Sequence, residues 1–171
     1  VSGTLPTFSV MPVFVLKARA EIEGVAKFWV PDGVIWELDL GESAGSEVRQ
    51  GVEVDPDEEV EIPNSKGAMT NCIIKFPSGN KGHIKKVALS SVRAQTVDDT
   101  GLVPIAAFEC RGLEPKRWTP RGPYCVETEK GTVYDEVGFK DNEDWCEYDE
   151  KTESAMTVAK DIVHEFVLHR G

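Results

Sequence analysis

The chain has 171 residues, a formal net charge of −11 and four cysteines. That length makes one domain, or two small ones sharing a core, and a hydrophobic fraction of 40% is enough to fill it. The acidic balance argues against a nucleic-acid partner, because phosphate binding needs lysines and arginines to displace counterions. No apolar run reaches bilayer length, and the longest, Met11 to Leu16, is strand-sized.

In chain order, "VSGTLPTFSV" carries no charged n-region and no long apolar stretch, so it is not read as a secretory signal. Residues 1–12, with Pro6 and Pro12 and no periodic pattern, are read as an extended arm. Val1 in place of a starting Met is read as a start left by transit-peptide cleavage or by trimming; the first hints at the mitochondrion, with the cytoplasm as the alternative.

The rest reads as β. Period-two alternation runs through "MPVFVLKARAEIE" and through "VIWELDL" (34–40), where Glu37 and Asp39 oppose Trp36, Leu38 and Leu40. "TNCIIKF" (70–76), "HIKKVALSSV" (83–92), "VPIAAFEC" (103–110) and "GTVYDEV" (131–137) are further strands, punctuated by glycine and proline. "DEEVEIP" (57–63) is a short acidic strand suited to a sheet edge. The closing "MTVAKDIVHEFVLHR" fits a strand or a helix, and its β-branched content favours the strand. Lys81, His83, Lys85 and Lys86 form a basic cluster best read as a solvated strand face.

"EIEGVAKFWVP" (21–31) echoes "ECRGLEPKRWTP" (109–120). The echo predicts two related antiparallel sheet units, about 14–92 and 103–170, packed as one β domain over 13–171 with few or no long helices.

Chemistry-bearing motifs are sparse. Cys72, Cys110, Cys125 and Cys146 show no CxxC spacing, and buried or reduced thiols are the expected state, with Cys125 and Cys146 in loops. His164 falls on the apolar face of the last strand and reads as a core histidine with one hydrogen bond. The acids of 135–151 lack the ligand rhythm of a calcium loop and read as a solvated loop. No Ser/His/Asp order, P-loop or Gly-rich nucleotide motif stands out.

"FECRGLEP" (108–115), "DWCEYDEKTES" (144–154) and "HEFV" (164–167) together resemble the eukaryotic CXXC-motif-containing zinc-binding protein family. "LKARAEIEGV" (16–25) looks like that family's first strand, and the "IW" before "ELDL" like its second. The resemblance spans about 14–168 and implies a zinc site made of two CxxC knuckles in the N-terminal half. Here the positions of the first knuckle hold Glu42 and Gly45, and those of the second hold Phe76 and Gly79. Such a set cannot hold zinc, so no metal or other cofactor is expected. Cys110 matches a family cysteine that is not a zinc ligand.

Glu109, Arg111, Gly112 and Glu114 of "FECRGLEP" are read as a structural turn, with Arg111 and Glu114 pairing or capping it. Trp29, Val30 and Phe76 are expected to be exposed near the lost site as a partner surface. The reading is a non-catalytic accessory or structural subunit of a larger protein assembly, with other protein chains as partners and no small-molecule substrate or membrane span. The alternatives are a free metal-handling or chaperone-like protein binding through Cys72, Cys110 or Cys146, and an enzyme of unrecognised type.

Overall fold

The computed structural model describes residues 11–170, so the arm over residues 1–12 lies almost wholly outside the described residues. Strands follow one another with short turns. The first nine are β1 (Val13–Arg19), β2 (Ile22–Glu23), β3 (Lys27–Trp29), β4 (Trp36–Glu42), β5 (Val48–Val54), β6 (Val60–Glu61), β7 (Met69–Thr70), β8 (Cys72–Lys75) and β9 (Lys81–Val87). The remainder are β10 (Gln95–Thr96), β11 (Val103–Arg111), β12 (Leu113–Thr119), β13 (Tyr124–Glu127), β14 (Val133–Val137), β15 (Trp145–Asp149), β16 (Ser154–Val158) and β17 (Val163–Leu168). A single 3₁₀ turn, Lys140–Asn142, is the one helical element among the described residues.

All pairing is antiparallel, and the largest sheet runs in the order β17-β1-β11-β9-β8. β11 is buried along nearly its whole length because β1 and β9 flank it and other sheets cover it. In β4 the predicted alternation is realised: Trp36, Leu38 and Leu40 are buried, while Glu37 and Asp39 are half-buried. The ambiguous C-terminal segment is a strand, β17, because β1 offers it an open edge for pairing from Phe14–Leu168 to Arg19–Val163.

Strands of the two sequence halves interleave. The large sheet takes β1, β8 and β9 from the first half and β11 and β17 from the second. β12-β4-β5, β10-β3-β13-β14 and β15-β16-β2 are mixed in the same way. The glycines of the echo occupy matching turns: Gly24 between β2 and β3 has φ +74°, and Gly112 between β11 and β12 has φ +75°. A Cβ at Gly24 would lie 2.4 Å from the Ala155 carbonyl oxygen, and one at Gly112 2.5 Å from that of Lys81. Both positions therefore demand glycine twice over, by dihedral and by space.

An aromatic chain joins the sheets at the core. Phe28 meets Tyr124 at 5.6 Å, Tyr124 meets Trp118 at 6.1 Å, Trp118 meets Trp36 at 5.6 Å, and Trp36 meets Phe108 edge-on at 5.4 Å. Each such contact adds about 0.5–1.5 kcal/mol beyond its area burial. The buried Gln95 amide accepts from the Ala20 N–H and donates to the Ala20 carbonyl, both at 2.8 Å. It acts as a one-residue strand that closes the end of β1.

Candidate functional site

Three turns converge at one end of this framework. The first joins β4 to β5 and carries Glu42 to Glu47; its neck is closed by the Glu42 N–H donating to the Glu47 carbonyl at 2.8 Å. The second joins β8 to β9 and is closed by Phe76 N–H to Asn80 carbonyl, also 2.8 Å. The third is the Gly112 turn, whose carbonyl accepts from the Ser43 N–H at 3.1 Å. "FECRGLEP" is thus a support for the first knuckle, which is what its glycine makes possible.

The side chains joining the two knuckles are Glu42, Ser78 and Asn80. Glu42 is 6% exposed, and its Oε1 accepts from the Ser78 hydroxyl at 3.0 Å and from the Asn80 side-chain amide. Gly45 faces the same carboxylate: a Cβ there would lie 2.7 Å from the Glu42 Cδ. The carboxylate therefore fills the space a second side chain of the first knuckle would need.

Zinc does not fit this arrangement. A structural site requires four N, S or O donors directed at one point about 2.0–2.3 Å away. Here an O–H and an N–H point at the carboxylate from the place a cation would take, and Gly45 supplies no donor. No group of three or more His, Cys, Asp or Glu suited to a metal occurs among the described residues. What remains is a hydrogen-bonded cross-link between two turns. Each of these part-buried bonds contributes about 0.5–1.5 kcal/mol net, well short of the ~10 kcal/mol a structural zinc supplies.

The sequence placed the wrong residues of the second knuckle against the first. Phe76 is buried in the core at 1% exposure, and a Cβ at Gly79 would meet nothing within 4 Å. Phe76 is therefore not an exposed partner residue; it shares the inward face of β8 with Ile74, and its burial contributes about 2–3 kcal/mol. Trp29 and Val30 are half-buried and belong to β3 and its exit, in a different sheet from both knuckles. Ser78 and Asn80 went unnoticed, although each is two residues on from the last along one turn.

The turn residues divide. Glu114 pairs with Lys116 at 3.2 Å rather than with Arg111. Arg111 and Glu109 lie beside His83 on β9, where burial first and Arg111 second push the imidazole below its ordinary pKa, against the pull of Glu109. Lys86 reaches Asp32 at 3.8 Å, so the basic cluster is interleaved with acids.

The thiols are dispersed. Cys72 and Cys110 lie in one row across the sheet with Ile84 between them. Two strand spacings put their Cα atoms about 10 Å apart, too far to share a metal. Burial pushes the Cys110 thiol far above its ordinary range, with Glu109 and Glu114 adding to it. Cys125 and Cys146 are not in loops: they sit in β13 and β15, the first buried and the second exposed. In the acidic segment, Asp149 is buried and accepts from the Tyr134 hydroxyl at 2.8 Å and from the Thr152 hydroxyl at 2.8 Å. His164 is a structural histidine. Its Nε2 accepts from the Trp118 N–H at 3.0 Å, which leaves Nδ1–H to donate to the Ile162 carbonyl at 3.0 Å.

Known proteins share both sequence and architecture with this one. The family described as CXXC motif containing zinc binding protein, eukaryotic, matches residues 15–167. The rat CXXC motif containing zinc binding protein is 32% identical over 84 residues, 48% of this chain and 51% of the relative. UPF0587 protein CG4646 of Drosophila melanogaster is 30% identical over 103 residues, 59% of this chain and 63% of the relative. This chain spans about half the length of the mammalian relatives it matches. Among solved structures, a hypothetical protein from Plasmodium falciparum superposes with a TM-score of 0.78 at 27% identity, covering 91% of this chain and 99% of the other. The crystal structure of C1orf123 matches in fold, with a TM-score of 0.79 at 22% identity over 92% and 99% of the two chains. The chain belongs to the eukaryotic family of CXXC motif containing zinc binding proteins.

Proposed function

We propose that this chain is a metal-free member of its family that serves as a non-catalytic structural subunit of a larger protein assembly. The observation that carries the reading is the Glu42 bridge. Where the family's name implies thiolates and zinc, this chain has a carboxylate whose Oε1 accepts from both Ser78 and Asn80. Such a bridge holds two turns in place and leaves a single carboxylate where a structural zinc needs four donors. The other buried carboxylate, Asp149, is likewise committed to its own neighbours.

A partner surface fits beside the second knuckle. An open depression of about 680 Å³ is lined by Val48, Arg49, Lys75 and Pro77 among others, and Val48 is 51% exposed. The Glu47 Oε2 at its rim is buried with no hydrogen-bond partner among the described residues, and a donor from a docked chain would satisfy it.

The test is the native size of the untagged protein extracted gently from its own cells. The reading expects migration in a particle far above the 18.9 kDa of the chain. Migration as a zinc-loaded free monomer would transfer the function to metal handling. The same extraction from separated organelles tests the mitochondrial expectation.

A further inference from the structure

A cleft of about 320 Å³ opens where the end of β12 meets the loop leading into β17. Arg117, Arg121 and Lys160 line it, and Asp161 is the one acid in its wall, in a chain of net charge −11. The buried Trp118, Phe139 and Ile162 back it, and its open lining is mostly polar.

Two of the three cations are paired, but loosely, and the third is open. The Arg117 side chain makes no hydrogen bond or ion pair among the described residues. Arg121 Nε and Nη2 each stand 3.3 Å from the Glu37 carboxylate, and Lys160 Nζ stands 3.4 Å from Asp161, whose side chain is 90% exposed. Tight charge-assisted bonds measure about 2.7–2.9 Å. The fold makes such a pair elsewhere: Arg93 holds Asp99 at 2.7 and 2.9 Å.

The backbone carrying each cation is fixed. The Arg121 N–H donates to the Tyr124 hydroxyl at 2.9 Å, the Lys160 N–H to Asp144 Oδ1 at 2.9 Å, and the Trp118 N–H, next to Arg117, to His164 Nε2 at 3.0 Å. Cations held on pinned backbone around a concave site focus a positive potential there.

We propose that this cleft binds a phosphoryl group. The open Arg117 guanidinium, the Nη1 edge that Arg121 keeps outside its pair with Glu37, and the Lys160 ammonium suit a multiply charged oxyanion, and a phosphate monoester carries about −1.5 to −2 at neutral pH where a lone carboxylate carries one charge. The group arrives on a small phosphate ester or on a phosphorylated side chain of a protein segment. The inference is independent of the knuckles and of the assembly reading.

The experiment is titration of the ¹⁵N-labelled full chain, at fixed ionic strength, with inorganic pyrophosphate and separately with a phosphoserine peptide. Saturable shifts of the Arg117, Thr119, Lys160 and Asp161 amides are expected, and the tighter probe names the source. The R117Q/K160Q variant keeps its thermal midpoint, since neither side chain is part of the core. It binds the better probe at least about tenfold more weakly, the effect of losing one charge-assisted bond or more. Absence of saturable shifts with either probe, or equal affinity in the variant, overturns the assignment.

Discussion

The carboxylate of Glu42 occupies the space beside the α-carbon of Gly45: a Cβ there would lie 2.7 Å from the carboxylate carbon and Oε1 and 2.8 Å from Oε2, so the carboxylate would have to shift. The two residues are coupled. Gly45→Ala should destabilise the protein by about 1–3 kcal/mol, the cost of moving the Glu42 carboxylate off its two hydrogen bonds. In an E42A background the same change should cost little, because the obstructing group is gone. Chemical denaturation of the two single variants and the double variant gives the coupling energy. Additive costs would mean the carboxylate moves aside freely.

Glu42→Ala alone should cost about 1–3 kcal/mol, since it removes two part-buried hydrogen bonds of about 0.5–1.5 kcal/mol each. Glu42→Gln should recover most of that loss, because its amide oxygen still accepts. An alanine variant as stable as the parent would remove the bridge from the account.

Gly112→Ala should be among the most damaging single-methyl changes, losing about 2 kcal/mol or more, because φ is +75° and the Lys81 carbonyl is in contact. Gly131 has φ +85° with open space around it, so Gly131→Ala should lose only about 1 kcal/mol. Urea midpoints of the pair separate the steric cost from the dihedral cost.

Acid should destabilise the protein through Asp99. The Arg93 guanidinium, followed by the Thr96 N–H, holds its carboxyl well below the usual value of 3.8. The unfolded chain therefore takes up the proton first. This group's contribution is complete above that usual value and is lost as pH falls below it toward the depressed native one. Asp149 shifts in the same direction, chiefly through the Thr152 and Tyr134 hydroxyls. Thermal midpoints followed down to about pH 2 should fall, and the fall should be shallower in D99N. Parallel curves for the two proteins would contradict the assignment.

Thiol reactivity should follow depth. Cys146 is exposed and should react with a thiol reagent at once; Cys72, half-buried with its thiol pushed up by burial and by Glu58, should react slowly. Cys110 and Cys125 should stay silent until the protein unfolds. Fast labelling of Cys110 in the native state would show that β11 opens.

The strands were legible because burial imposes period two: Trp36, Leu38 and Leu40 announce β4 by themselves. Parity also held the answer for Phe76, since Ile74 and Phe76 share a face and the former is plainly core. What the sequence concealed were cross-chain relationships. Ser78 and Asn80 become informative only when the β4–β5 turn is known to face them. The interleaving of the halves depends on β1 pairing with both β11 and β17, a choice made by long-range closure and not by local pattern.

The measurement that bears most directly on the central claim is the zinc content of the folded protein, taken with its thermal midpoint before and after a strong chelator. The account predicts well under one zinc per chain and a midpoint unmoved by chelation, because Glu42, Ser78 and Asn80 join the knuckles without metal. One tightly bound zinc per chain, whose removal melts the fold, would contradict it.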